Sequence, residues 1–109
     1  MAIATDTNTL TTLISTLVDL SMDGDVPPDI QKQCLVLAKQ LRGSLLNLLS
    51  ARFNDGTPQV LQANAALVTV NNSVQALSTN LGAAAATIAS VTSLVGQLDG
   101  LLKFAAAFV

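Results

Sequence analysis

The longest regular pattern in the chain is a seven-residue spacing of apolar side chains in its second half. Every seventh position from 60 to 102 is a branched aliphatic residue, and the position three residues after each one is also apolar. Only a helix places such positions on one side, so the pattern predicts helix throughout this region. The two series are Val60, Leu67, Val74, Leu81, Ile88, Val95 and Leu102, and Ala63, Val70, Leu77, Ala84, Val91, Leu98 and Ala105.

Two architectures are compatible with this spacing. Its unbroken phase favours one rod of about 64 Å at 1.5 Å per residue. Against the rod, Asn80 and Gly82 are typical of a helix end, with Gly82 as a left-handed cap. A rod of that length would also leave apolar positions uncovered beyond the first two helices. We therefore predict a hairpin here and an all-α, antiparallel four-helix bundle, with residues 1–109 as one domain. The alternative is three helices with one long C-terminal rod.

The first half of the chain predicts two helices separated by clear turns. Residues 6–22 carry apolar side chains at helical spacing, and either Asp6 or Asn8 is suited to cap them. After the turn at 23–28, a second helix is predicted from Pro28 to about Phe53.

Proline is favoured in the first turn of a helix and an aspartate suits its positive end, which supports the start at Pro28 with Asp29 after it. Asparagine, glycine and proline at 54–58 mark the next break. Thr57 is predicted to cap the third helix, and Pro58 to be its first residue.

The amino-acid composition argues against some classes of function. Of the 109 residues 50% are hydrophobic and only 11% are charged, against roughly 25% charged in ordinary soluble domains. The formal net charge is −2, with five Lys and Arg and no Trp or Tyr. Nucleic-acid binding depends on clustered cations and often on stacking aromatics, so we predict no nucleic-acid partner.

The chain lacks most of the residue types that enzymes use for catalysis. It lacks His, Glu and Tyr entirely, which removes serine–histidine and cysteine–histidine arrangements and most general acids and bases. We therefore predict no enzyme activity, no catalytic or metal residue, no cofactor and no small-molecule substrate. Cys34 is expected to be buried in the second helix as a small hydrophobe.

Two charged groups have ordinary structural interpretations. Asp23, Asp25 and Asp29 lie close together, but an EF-hand loop needs ligands where Pro27 and Cys34 stand, so we predict a turn. The stripe of Lys32, Lys39 and Arg42 is typical of a solvated helix face, with an acidic partner as the alternative.

The last helix carries the candidate site. On the side opposite the heptad series its positions are small and uncharged apart from Gln97, whereas a solvated outer face normally carries long polar side chains. Small residues let a second helix approach closely. We therefore predict that this ridge is covered by a second copy or a protein partner, in a non-enzymatic structural or protein-interaction bundle. The ridge is Ala86, Ala89, Ser90, Ser93 and Gly96.

The alternative function involves lipid. Residues 81–98 are eighteen residues without a charge, which is long enough for a marginal membrane span. Ala, Ser, Thr and Gly dominate, and no aromatic belt flanks the segment, which favours a buried helix. An exported or membrane-active protein whose C-terminal hairpin inserts into lipid is the second hypothesis. No basic N-terminal region precedes an apolar run, so no signal peptide is expected and the compartment is left open.

Overall fold

A computed structural model describes the backbone of residues 2–3, 6–49, 53–54 and 58–106, and the surroundings of side chains at 6–49, 58–77, 79–80 and 82–102. Within these ranges the chain forms four helices, which confirms the predicted all-α bundle. They are α1 (Thr7–Ser21), α2 (Pro28–Leu48), α3 (Pro58–Ala76) and α4 (Ala84–Ala106). Two antiparallel two-residue strands, β1 (Ala2–Ile3) and β2 (Phe53–Asn54), pair ahead of α1 and α3.

The start of α1 is fixed by a side-chain cap. The Asp6 carboxylate accepts hydrogen bonds from the Thr9 backbone N–H at 3.1 Å and from the Thr9 hydroxyl at 2.6 Å. Asp6 rather than Asn8 is therefore the N-cap, and it satisfies a donor that the helix leaves unpaired.

The start of α2 was predicted correctly and its end was not. The helix begins at Pro28 with Asp29 in its first turn, but it ends at Leu48 instead of Phe53. Phe53 lies in β2, where it pairs with Ile3 of β1. No helix breaker precedes Asn54, so long-range strand pairing outweighs the local helical preference of this segment.

The break between α3 and α4 rules out the long rod. Two short 3-10 turns, Leu77–Thr79 and Leu81–Ala83, interrupt the helix on either side of Asn80. The Asn80 N–H donates to Leu77 O, and the Ala83 N–H donates to Asn80 O, both at 3.1 Å. The predicted left-handed cap at Gly82 is wrong, because no glycine in the described ranges has a positive φ. Pro58 begins α3 as predicted, while the predicted cap at Thr57 lies outside the described residues.

The helices form two hairpins lying side by side. Each helix packs against two others, in the cyclic order α1, α2, α4, α3. The Asp6 N–H donates to Asn64 Oδ1 at 2.7 Å, joining the early parts of α1 and α3. The Ser44 hydroxyl donates to Asp99 Oδ1 at 3.4 Å, joining the later parts of α2 and α4. Consecutive helices are therefore antiparallel, while α1 with α3 and α2 with α4 run parallel.

The two hairpins share nine pairs of buried positions that are 50 residues apart in the sequence. These are positions 10, 13, 17, 20, 34, 37, 41, 44 and 48 in α1 and α2, and positions 60, 63, 67, 70, 84, 87, 91, 94 and 98 in α3 and α4. Buried Ala38 and Val74 have no such counterpart, because Ile88 is only partly buried and Gly24 is exposed. Each member of the second set is 50 residues after its counterpart, as 60 − 10 shows. The side chains differ, with Cys34 matching Ala84 and Ser44 matching Leu94, so the repetition is one of packing pattern.

The heptad series does not form one continuous buried stripe. In α3 both series face the core, including Val60 and Ala63. In α4 the second-series residues Ala84, Val91 and Leu98 are buried, but Ile88 and Val95 of the first series are only partly buried. Leu94, 2% exposed, takes their place together with Thr87 and Leu101. The turn at 77–83 separates α3 from α4, so the heptad spacing of α3 does not determine which side of α4 is buried. Helix α4 is rotated about its axis so that Leu94, rather than Val95, faces the core.

Candidate interaction surface

The five predicted ridge residues lie together on the outer side of α4. Ala86, Ala89, Ser90, Ser93 and Gly96 are all exposed. Neighbouring helices pack against the side of α4 that carries Val91, Leu94 and Leu98. Its residues Ile88 and Thr92 face α2 across a groove, Asp99 bonds to α2, and Thr87 faces the end of α3. The α4 ridge, as we name these five residues, therefore lies on the side of α4 that no other described helix covers.

The α4 ridge is smooth and weakly polar. The Ser90 hydroxyl donates to its own helix at Ala86 O, 3.1 Å away, and so offers little to a partner. A Cβ atom placed on Gly96 or on Gly100 would meet nothing within 4 Å. No Asp, Glu, Lys or Arg occurs from residue 56 to residue 98. A partner helix could therefore approach the backbone of α4 closely without burying a charge.

The outer faces of the other two weakly charged helices differ in kind. On α1 the exposed positions include Asn8, Thr12 and Asp19, and on α3 they include Gln62 and Asn72. Asn8, Asp19, Gln62 and Asn72 are longer polar side chains of the kind that solvated helix faces carry, although α3 also exposes Leu61 and Val68. The small, uncharged face of α4 is the exception among these three.

One polar contact beside the α4 ridge was missed by sequence reasoning. The hydroxyl of Ser44, 4% exposed, lies 3.3 Å from Gln40 O and 3.4 Å from Asp99 Oδ1, and these two acceptors share its single proton. The sequence shows Ser44 interrupting the apolar series of α2 and Asp99 as the single carboxylate of α4. The sequence alone does not predict that Ser44 and Asp99 are in contact, because the contact depends on α2 and α4 running parallel.

Two clefts lie beside the α4 ridge. The larger, about 450 Å³, runs between α2 and α4 and is lined by Lys32, Gln33, Val36, Leu37, Gln40, Ile88 and Thr92. The smaller, about 210 Å³, lies where α3 turns into α4 and is lined by Ser73, Ala76, Leu77, Asn80, Ala83 and Thr87. Thr87 is only 6% exposed, and its hydroxyl makes no hydrogen bond with any described residue.

The remaining candidate groups occupy structural positions. Cys34 is buried as predicted, and desolvation by burial raises the pKa of its thiol, which disfavours the reactive thiolate. Asp23 accepts the Asp25 backbone N–H at 2.9 Å, which forms the predicted turn. Across the described part of the chain, no group of three His, Cys, Asp or Glu side chains is placed to hold a metal ion.

Comparison with protein-family models, with curated proteins and with solved structures gives no match for this chain. The interpretation of the α4 ridge therefore depends on the chain's own residues and their arrangement. In that arrangement the ridge combines exposure, small side chains and absence of charge over three helical turns.

Proposed function

We propose that this protein is a non-enzymatic helical bundle that associates with a second copy through the outer face of α4. The α4 ridge carries the proposal, because its five residues are exposed and none is charged or long. The absence of His, Glu and Tyr supports the non-enzymatic part, since the usual proton-transfer residues are missing.

The α4 ridge alone is too small for a stable interface. From Ala86 to Gly96 it extends about 15 Å along the helix, whereas standard interfaces bury about 800 Å² on each partner. The whole bundle measures 45 × 20 × 19 Å, so one full side of it reaches the required area. In the proposed dimer the α4 ridge is the central line of closest approach, and flanking residues of α3 supply the remaining contact.

Replacing Ser93 by arginine tests this proposal. Ser93→Arg places a long charge in the middle of the α4 ridge and leaves the buried residues Val91 and Leu94 unchanged. Light scattering after size exclusion should show a dimer for the wild type and a monomer for Ser93→Arg, with equal helical circular dichroism. The matched control is Ser15→Arg on the exposed face of α1, which should remain dimeric. Equal masses for Ser93→Arg and the wild type would reject the α4 ridge as the interface.

A second candidate function is membrane insertion of the C-terminal hairpin. Ala84–Leu102 is 19 residues long with a mean hydropathy of 1.3 and is 28% buried, so by length and composition it is able to span a bilayer. Core helices of soluble proteins meet the same criteria, and Asp99 lies inside this stretch. Inserted protein should float with neutral phosphatidylcholine vesicles and resist a high-salt wash, whereas a soluble dimer should stay in the lower fractions.

A further inference from the structure

The outer face of α2 carries a surface of a different kind from the α4 ridge. Its core side is occupied by residues such as Cys34, Leu41 and Leu48. The opposite side spans an arc of about 120° at 100° per residue and holds both cations and large apolar side chains. We call this set the α2 arc: Lys32, Leu35, Val36, Lys39, Arg42 and Leu46.

The apolar members of the α2 arc are strongly exposed. Leu46 is 63% exposed, Val36 is 49% exposed and Leu35 is 41% exposed. By contrast, α1 contributes no leucine, isoleucine or valine to the exposed large hydrophobic residues of the described chain, and α3 contributes only Leu61 and Val68. The α2 arc is therefore the largest concentration of exposed branched aliphatic side chains on any one described helix.

Charge is segregated onto the same arc. Lys32, Lys39 and Arg42 are the three cations whose surroundings the structure describes, and all are exposed on α2. None of them forms an ion pair with a described residue. After Asp29, α2 contains no carboxylate. The carboxylates within the neighbouring helices are Asp19 of α1 and Asp99 of α4, and Asp99 accepts a hydrogen bond from Ser44. On α2 itself, exposed Asp29 lies three residues before Lys32.

The combination of cations and exposed aliphatic side chains limits the kind of partner that the α2 arc can bind. A second copy presenting its own α2 arc would bring like charges together, so the arc does not suit self-association. A single partner helix would contact a narrow stripe, whereas the α2 arc is convex and extends over most of a helix about 30 Å long. A planar anionic surface can cover a convex arc of this kind. Long Lys and Arg side chains reach headgroups while neighbouring leucines enter the acyl boundary.

We propose that the α2 arc docks the folded bundle onto anionic phospholipid, with α2 lying parallel to the membrane surface. This role is independent of association through α4, and it requires neither insertion of the C-terminal hairpin nor unfolding. The ligand chemistry is a bilayer carrying phosphatidylglycerol-like headgroups, recognised by three cations and by shallow burial of the leucines between them.

The test is flotation with two kinds of vesicle. The full chain should float with phosphatidylcholine vesicles containing roughly 30% phosphatidylglycerol and stay in solution with pure phosphatidylcholine. Each cation near such a surface contributes about fivefold to partitioning, so Lys32→Gln, Lys39→Gln and Arg42→Gln combined should weaken it roughly a hundredfold. Raising the salt to about 0.5 M should release the wild type, because screening shortens the range of these charges.

Matched variants separate the α2 arc from the other surfaces. Leu35→Asn with Leu46→Asn should reduce flotation, whereas Leu61→Asn with Val68→Asn, at exposed positions of α3, should not. Circular dichroism should confirm that all variants are folded.

Three results would overturn the proposal. The first is no flotation with anionic vesicles, which would leave an acidic protein surface as the occupant. The second is unchanged flotation of the triple glutamine variant. The third is loss of flotation in Ser93→Arg alone, which would assign the lipid contact to α4.

Discussion

Adjacent residues Leu94 and Val95 distinguish the observed hairpin from a continuous heptad rod. The heptad spacing places Val95 on the apolar series and Leu94 beside it. In the structure Leu94 is the more buried of the two residues: it is 2% exposed, whereas Val95 is only partly buried. Alanine substitutions at the two positions should therefore have clearly different effects on the free energy of unfolding.

The expected magnitudes follow from the atoms removed. Leu94→Ala deletes three buried carbons, at about 0.8 kcal/mol each, and adds a cavity cost, for a total of about 3 kcal/mol. Val95→Ala deletes two carbons that are partly in water, and alanine gains about 0.5 kcal/mol of helix propensity. The net loss at Val95 should stay below about 1 kcal/mol.

Urea unfolding monitored by circular dichroism measures both changes. A domain of this size has a stability of about 5–15 kcal/mol, so Leu94→Ala should remain folded in water and show a lower midpoint. Its thermal midpoint should fall by roughly 12 °C, since about 4 °C corresponds to 1 kcal/mol at this length. A larger loss for Val95→Ala than for Leu94→Ala would refute the burial pattern of α4 and favour the rod.

Four further tests, two substitutions, one chemical modification and one insertion, probe the core and the turn. Thr87→Val removes a buried hydroxyl without a described partner and should raise the free energy of unfolding by about 1 kcal/mol, whereas Ser44→Ala removes the hydroxyl proton that Gln40 O and Asp99 Oδ1 share and should lower it by a similar amount. Urea midpoints measure both, and a loss on Thr87→Val would show that its hydroxyl is satisfied. Cys34 is buried with a raised thiol pKa, so at pH 8 it should react with a thiol reagent only after denaturation; rapid native labelling would place it at the surface. Four Gly and Ser residues inserted after Gly82 lengthen a surface turn and should lower the thermal midpoint by only a few degrees, whereas a collapse of the transition would contradict the hairpin.

The sequence predicts the helices of this fold well because their signals are local. Asp6, Pro28 and Pro58 act within one helical turn, and the structure uses each of them at a helix start. The end of α2 was not predictable in the same way. Phe53 pairs with Ile3, which is fifty residues earlier in the chain. A prediction from neighbouring residues alone cannot detect a pairing over that distance.

The rotation of α4 has a similar cause. Its sequence offers apolar residues at Val91, Leu94, Val95 and Leu98, so more than one stripe is able to face a core. Which stripe is buried depends on how the turn at 77–83 sets α4 against α2 and α3. The α4 ridge residues were nevertheless predicted on one face, because three- and four-residue spacing groups them whatever the rotation.

The central claim is that the outer face of α4 is covered by a second copy in solution. Sedimentation equilibrium of the unmodified chain measures this without any substitution. The monomer mass is 11.2 kDa, and we predict an average mass that rises towards twice that value by about 0.1 mM, which corresponds to about −5.5 kcal/mol of association. A mass that stays at 11.2 kDa throughout this range would contradict self-association through the α4 ridge.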